Sequence, residues 1–251
     1  MVVRFLYIFF LLTLLGAPCF AGGEKIILAT GEWPPYVGSA LPGQGATAEV
    51  VRAAFKAVGI DVEFRFYPWS RAVYEARSNP DLAGYFPEYP HDLRERQFYY
   101  SNSVGKSSLG FAKRKARNIQ WSGYGDLKAY SFATVRGYAN TKLFDAMVAK
   151  KEVVVDESVS DLFVLRKVLA GRVDYGVIDA NVFSYLMHKD EYLFSRRGEL
   201  RMDSHLLDIL DLFVSFKRSK QGRCLLEMFN EGLSIVYPLR IQREYMEKLK
   251  N

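Results

Sequence analysis

The sequence lacks the short motifs that identify most enzymes. Its 251 residues contain no GxSxG, HExxH or CxxC motif, no P-loop, and no GxGxxG after a strand. There are three histidines and two cysteines, and neither set has metal-ligand spacing. The histidines are interpreted as surface or loop residues. We therefore expect a protein without catalytic residues, metal or cofactor.

Long apolar runs are also scarce, and the clearest one is N-terminal. Arg4 precedes an apolar stretch over residues 5–15, which has the length of a signal-peptide core and is too short to cross a membrane comfortably. We predict cleavage after Ala21, so that residues 1–21 form a signal peptide and the mature chain is periplasmic. Cleavage there would leave Cys224 as the remaining cysteine, and we expect no intrachain disulfide.

The charges are interspersed, apart from residues 113–115 and a basic tail at residues 240–250. The formal net charge is +6, with 25% charged and 49% hydrophobic residues, which is ordinary for a globular protein. Nucleic-acid binding would require clustered Lys and Arg interleaved with stacking aromatics. A solvated basic face is the favoured interpretation, and we expect a monomer with no nucleic-acid partner.

Predicted strands and helices alternate along the chain. Apolar periodicity predicts strands at residues 26–29, 62–66, 82–84, 98–101, 132–135, 153–155, 175–178 and 212–216. It predicts helices at residues 46–58, 69–77, 158–170, 179–187 and 219–236, and irregular chain at 86–90. This alternation implies βαβ units and mostly parallel sheets, arranged as two lobes around one cleft.

The loop Trp33-Pro34-Pro35-Tyr36 follows the first predicted strand. Its two prolines fix φ and remove two backbone donors, so it neither continues the sheet nor begins a helix at once. It holds Trp33 and Tyr36 at a strand tip, where α/β proteins bind ligands. Packing of both rings into the core is an equally good interpretation of this stretch alone.

Three further positions carry binding chemistry. Arg94 offers a planar fork that matches a carboxylate, although a surface arginine fits as well. The turn at residues 137–141 follows a strand and opens a helix, where backbone N–H groups suit an anion. Asp179 lies between a strand and a helix, either as a carboxylate facing a ligand ammonium or simply as an N-cap.

In this order, these segments resemble the family 3 extracellular solute-binding proteins, periplasmic receptors that deliver amino acids and similar polar solutes to ABC importers. The resemblance spans the mature chain. It is carried by the aromatic-proline loop, the Gly-rich link at 38–45, the segment from Arg94 to Ser101, the Arg136-Gly137 turn, residues 173–179 and the strand at 213–217. Residues 68–72 resemble a branch whose ligands are often unassigned.

The resemblance implies a two-lobed α/β Venus-flytrap fold with a mixed, mostly parallel sheet in each lobe. Lobe 1 would comprise residues 22–110 and 211–251, and lobe 2 residues 111–210, with hinge strands near 110–111 and 210–211. Arg94 would bind the ligand carboxylate, Asp179 its ammonium, and Trp33 would stack on it. The N–H groups around Tyr138, Ala139, Asn140 and Thr141 would share the negative charge.

One segment departs from the family pattern. Where amino-acid binders carry small hydroxyl residues before the arginine, this chain has Phe86, Pro87, Glu88 and Tyr89. That removes donors and adds bulk and an acid, which favours an aromatic or cationic solute with Glu88 as a second acid. Arg71 either reaches the cleft or forms an ion pair on its own helix.

Three functions follow from the resemblance. The first is capture of a small polar solute for an ABC permease. The second is a ligand-sensing module that contacts a receptor or histidine kinase. The third, which we rank last, is a periplasmic dehydratase that uses Glu88 or Asp179 as a general acid.

Overall fold

A computed structural model describes residues 25–118 and 120–249. The expected signal peptide lies outside these ranges. Among the helices of the described part, none is long and apolar enough to cross a membrane.

The elements alternate largely as predicted. In chain order they are β1 (Ile26–Thr30), α1 (Ala46–Ala57), β2 (Val62–Phe66), α2 (Trp69–Ser78), β3 (Gly84–Glu88), α3 (Asp92–Glu95), β4 (Phe98–Tyr100), β5 (Gly105–Arg114), β6 (Ser131–Val135), α4 (Lys142–Ala149), β7 (Val154–Ser158), α5 (Asp161–Leu169), β8 (Tyr175–Asp179), α6 (Ala180–Lys189), α7 (Glu191–Ser195), β9 (Leu200–Met202), β10 (Asp208–Lys217), α8 (Lys220–Ile235) and α9 (Pro238–Lys248). Short 3-10 turns occupy Pro42–Gln44 and Tyr124–Ala129.

The strands form a mixed sheet in the order β2-β1-β3-β10-β5-β8-β6-β7, with β4 on β10 and β9 on β5. Parallel pairs lie toward the two ends, where β1 pairs with β2 and β3, and β6 pairs with β7 and β8. These are the βαβ units that the alternation predicted. The pairings made by β5 and β10 are antiparallel.

Two long strands connect the two ends of the sheet. Residues Gly105–Leu109 of β5 pair with Asp208–Leu212 of β10. Beyond this shared stretch, β5 continues to β8 and β9, whereas β10 continues to β3 and β4. The predicted crossings at residues 110–111 and 210–211 lie on these two strands. The division into lobes at these points stays a prediction.

The core on the β1 side depends on a close helix contact. Helix α8 packs against α1 at Gly232, where an added Cβ would collide with the carbonyl oxygen of Ala54. Glycine therefore lets the backbones approach. The approach packs Phe55, Phe216 and Phe229 together, with ring centroids 4.8–6.2 Å apart.

The segment before Arg94 differs from its prediction. Residues 86–90 were expected to be irregular, yet Phe86, Pro87 and Glu88 belong to strand β3. The ladder between β3 and β10 shifts register between Phe213 and Ser215, which leaves Pro87 opposite an irregularity. A proline fits there because no ladder hydrogen bond needs its missing N–H.

Another expectation was incomplete. The basic tail was interpreted only as charged surface, but it forms α9, whose buried Gln242 and Tyr245 form hydrogen bonds with Lys106 and Pro42. The expectation of no intrachain disulfide concerns the chain after removal of residues 1–21. Those residues lie outside the described ranges, so this expectation stays a prediction.

Candidate functional site

A cleft opens where the carboxyl ends of β1, β3 and β6 meet, as expected for a ligand site in an α/β sheet. It contains about 390 Å³ of empty space, part of it open to solvent. The loops after these strands, the last two residues of β3, the start of α2 and one residue of β10 supply its walls. The lining residues are Gly31, Glu32, Trp33, Val37, Trp69, Pro87, Glu88, Tyr89, Tyr138, Ala139 and Leu212.

The loop after β1 is a rigid wall of this cleft. Trp33 and Val37 pair through backbone hydrogen bonds of 2.9 and 3.1 Å between their N and O atoms. The half-buried Trp33 ring stacks on Tyr36 at a centroid distance of 4.4 Å and meets Tyr89 edge-on at 6.0 Å. Tyr36 is fully buried and lies behind Trp33. Thus Trp33 lines the cleft and Tyr36 supports it.

Glu88 and Arg94 form a buried ion pair beside the cleft. Glu88 is 3% exposed, and its carboxylate also accepts hydrogen bonds from the Tyr85 hydroxyl at 2.8 Å and the Tyr89 backbone N–H at 2.9 Å. The other terminal nitrogen of Arg94 donates to the carbonyl oxygen of Gly137 at 2.6 Å. Arg94 therefore lies behind Glu88 and is not among the lining residues.

Burial and the partner's charge shift the pKa values of Glu88 and Arg94 in opposite directions. Burial raises the pKa of Glu88, and the nearby Arg94 guanidinium opposes that rise. Burial is the largest influence on Arg94 and lowers its pKa, but the charge and hydrogen bond of Glu88, together with the nearby Tyr85 and Tyr100, outweigh it, so the net direction is upward. The guanidinium accordingly keeps its positive charge, and Glu88 already neutralises it.

The turn after β6 supplies the opposite wall. Gly137 has a positive φ of 79°, and Tyr138 and Ala139 after it line the cleft. The backbone N–H of Asn140 donates to the carboxylate of Asp145 at 2.9 Å. Thr141 caps α4 by accepting from the Phe144 N–H at 3.2 Å. Asn140 and Thr141 thus serve the start of α4 and do not line the cleft.

Sequence reasoning missed Asp161, which lies beneath Tyr138. Its carboxylate accepts a hydrogen bond from the Tyr138 hydroxyl at 3.4 Å, and the residue is 6% exposed. Burial, followed by the charge of Asp179, raises the pKa of Asp161 to about 7. The available signal was its place at the start of a helix after a strand, the position that singled out Asp179.

Asp179 is buried and joins three parts of the chain. It is 1% exposed, caps α6, and does not line the cleft. Burial raises its pKa. Its carboxylate accepts hydrogen bonds from Ser107 Oγ (2.6 Å), the Ser108 N–H (2.8 Å), the Tyr36 hydroxyl (3.0 Å), and the Asn181 and Val182 N–H groups (2.7 and 3.0 Å).

The structure brings together only part of the predicted site. Trp33, Glu88, Tyr138 and Ala139 line the cleft, whereas Tyr36, Phe86, Arg94, Asn140, Thr141 and Asp179 lie behind or beside it. Phe86 is fully buried and packs on Phe64. Arg71 pairs with Glu75 on its own helix at 3.3 Å. The ligand contacts proposed for all of these residues stay predictions.

Some lining residues were not predicted as binding residues. Trp69 and Tyr89 were noted in the sequence, in Pro68-Trp69 and in the departure from the family pattern, but no contact was assigned to them. The lining is completed by Gly31, Pro87, Glu32, Val37 and Leu212. Only the tertiary structure places these last three in the cleft. Across the described ranges, no group of three or more His, Cys, Asp or Glu side chains could hold a metal ion.

The fold is shared with solved ligand-binding domains. A histidine kinase sensor domain with similarity to periplasmic binding proteins has a TM-score of 0.72 and 21% identity, covering 90% of this chain and 94% of its own. The GluR0 ligand-binding core from Nostoc punctiforme, in complex with (L)-glutamate, has a TM-score of 0.69 and 17% identity, with coverages of 89% and 98%. The ancestral amino acid-binding protein AncCDT-1, a precursor of cyclohexadienyl dehydratase, has a TM-score of 0.67 and 15% identity, with coverages of 89% and 94%.

These likenesses define the class of fold. The chain has the α/β Venus-flytrap fold of periplasmic-binding-protein-like proteins, with a mixed, curled sheet, and this is consistent with the family 3 solute-binding fold. No family model and no curated protein matches the sequence.

Proposed function

We propose that this protein is a periplasmic solute-binding protein that captures a small polar solute between two lobes by hinge closure. The solute is an amino acid or a related zwitterion or amine, and the protein presents it to an ABC permease. The main support is that both predicted lobes line one cleft. Trp33 and Glu88 come from residues 22–110, and Tyr138 and Ala139 come from residues 111–210.

Direct contacts across the cleft support closure as the binding motion. Trp69 Nε1 and Arg94 both donate to the Gly137 carbonyl oxygen, at 3.2 and 2.6 Å. At the edge, Lys142 pairs with Asp92 at 2.6 Å. A solute that contacts both walls adds to these interactions only in the closed form, and that differential affinity drives closure.

A sensor role is the second candidate, and the likeness to a histidine kinase sensor domain favours it. In that role the closed form would contact a receptor instead of a permease. Co-purification with crosslinked membrane proteins separates the two: recovery of permease subunits supports transport, and recovery of a kinase or other receptor supports sensing.

We propose no catalytic role, with dehydration of a cyclohexadienyl acid as the alternative. A general acid must hold a transferable proton. Glu88 instead pairs with Arg94, and Asp179 is enclosed by five donors. Turnover of such an acid by the purified protein, lost in Glu88→Gln, would establish the enzyme instead.

A thermal-shift screen over amino acids, polyamines and small aromatic acids tests solute binding. A solute at about 100 times its Kd stabilises by roughly 2.7 kcal/mol, and we expect at least one such shift. Trp33→Ala should remove that shift. Tyr237→Ala, which removes a 72% exposed ring outside the cleft lining, should preserve it. Absence of any shift, or equal shifts in both variants, would refute a solute site in this cleft.

A further inference from the structure

The cleft combines aromatic rings with acids. Among its described lining residues are four aromatic side chains, those of Trp33, Trp69, Tyr89 and Tyr138, and two acids, Glu32 and Glu88, with no Lys, Arg or His. Such a lining lacks a cationic side chain, the usual strong partner of a ligand carboxylate.

Ring contacts hold the aromatic walls in place. Trp33 stacks on the buried Tyr36, and Trp69 meets Tyr85 and Tyr138 edge-on at 5.7 and 5.9 Å. The electron-rich faces of aromatic rings attract cations within about 6 Å. Fixed rings around a small cleft therefore suit an ammonium group.

The guanidinium of Arg94, beside the cleft, already has partners. Arg94 donates to Glu88 and to the Gly137 carbonyl oxygen. To reach Arg94, a ligand carboxylate would have to displace Glu88, which two further hydrogen bonds from Tyr85 and Tyr89 retain. It would also meet the like charge of Glu32.

Two further acids lie behind the residues that line the cleft. Asp161 lies under the Tyr138 hydroxyl and Asp179 under the Tyr36 hydroxyl. When ionised, these two acids add negative charge behind the aromatic rings. The low-dielectric interior makes the resulting field unfavourable for an anion and favourable for a cation.

We infer that the cleft selects an organic cation, a protonated amine or quaternary ammonium without a free carboxylate, because Glu88 occupies Arg94 and aromatic rings form the walls. The inference rests on the proposed solute-binding function and names its ligand class. The Glu88–Arg94 pair is then the specificity determinant that excludes amino-acid zwitterions.

Matched probes test this inference by titration of tryptophan fluorescence. Choline and glycine betaine differ chiefly by a carboxylate, as do phenethylamine and phenylalanine. In at least one pair, the cation should bind at least tenfold more tightly than its carboxylate-bearing partner. Equal or tighter binding of the partner in every responding pair, or no response from either pair, would overturn the inference.

The variant Glu88→Gln tests the cause of the selectivity. It keeps the side-chain shape but releases Arg94, so the preference should shift at least tenfold toward the carboxylate-bearing probe. Glu244→Gln changes a half-exposed acid on α9 that pairs with Arg240; it is the control and should leave the preference unchanged. An unchanged preference in a folded Glu88→Gln would refute the role of the pair.

If Glu88→Gln does not fold, Glu32→Gln provides the second test. This exposed lining acid should lower affinity for the cation several-fold without changing the melting temperature, and unaltered affinity would count against the inference. The broad screen separates the two proposals: if its hits all carry a free carboxylate, solute binding stands and cation selectivity fails. If the screen has no hit, both fail.

Discussion

Arg94 and Gly137 are joined across the cleft by a hydrogen bond of 2.6 Å from the guanidinium to the carbonyl oxygen. The bond depends on the backbone at Gly137, where φ is 79° and an added Cβ would lie 2.6 Å from Ser70 Oγ. Because Arg94 also pairs with Glu88, one side chain both neutralises a buried acid and connects the two walls.

Removal of Arg94 should destabilise the protein as well as alter binding. Arg94→Ala leaves Glu88 buried without its counter-charge, and such a loss costs about 3–5 kcal/mol. We expect a corresponding decrease in the free energy of unfolding, measured with urea.

The double variant Arg94→Met/Glu88→Gln removes both charges and should recover a large part of that stability. Lys142→Ala, which breaks the exposed pair with Asp92 at the same cleft edge, is the control and should have no measurable effect. If Arg94→Ala is as stable as the wild type, the pair does not hold the buried acid as described.

Replacement of Asp179 should affect stability more than loss of a helix cap alone. Asp179→Ala leaves buried donors such as Ser107 Oγ and Tyr36 OH unpaired and removes the cap of α6, and we expect a loss of roughly 2–4 kcal/mol. Ser219→Ala removes the cap of α8 and should cost about 1 kcal/mol. Equal losses in the two variants, measured by urea denaturation, would show that the wider network is unimportant.

Trp33 should contribute to binding through its ring face. Trp33→Phe preserves an aromatic surface, whereas Trp33→Ala removes it, so affinity for a screened solute should fall about tenfold or more in the alanine variant and less in the phenylalanine variant. Calorimetric titration measures both. Stability should change less than affinity because Trp33 is only half-buried. The reverse order of effects would assign Trp33 to the core.

Asp161 should make stability depend on pH. Burial raises its pKa from an ordinary 3.8 to about 7 in the folded protein, so between these two pH values the folded state binds more protons than the unfolded state. The free energy of unfolding therefore falls as pH rises through this window. Asp161→Asn has no carboxyl to titrate, so it lacks this pH-dependent loss. Its free energy of unfolding relative to the wild type should increase from pH 4 to pH 8 by up to roughly 4 kcal/mol.

Melting temperatures of both proteins across that range test the prediction. Contributions from Glu88 and Asp179, whose pKa values are also raised, largely cancel in the comparison. A difference between the two proteins that stays constant with pH would contradict an Asp161 that is protonated on folding.

Local patterns in the sequence were sufficient for most of the fold. Apolar periodicity indicated β1, α1, β2, α2, β8 and α8 within a few residues, because each depends on its own hydrophobic face. The N-cap at Asp179 was equally readable. The path of β3 through Pro87 could not be predicted from the sequence. A proline fits inside this strand because the ladder with the neighbouring strand is irregular there, and the sequence does not show that irregularity.

The candidate site, like the fold, was predicted only in part from the sequence. By itself, the sequence determined the α/β alternation, the stiff aromatic loop at Trp33, and which titratable residues follow strands. Only the tertiary structure decided that Arg94 turns toward Glu88, that Asp161 lies under Tyr138, and that Trp69 completes the aromatic wall. These pairings join residues from different elements, and their geometry depends on how the sheet and its loops pack in three dimensions.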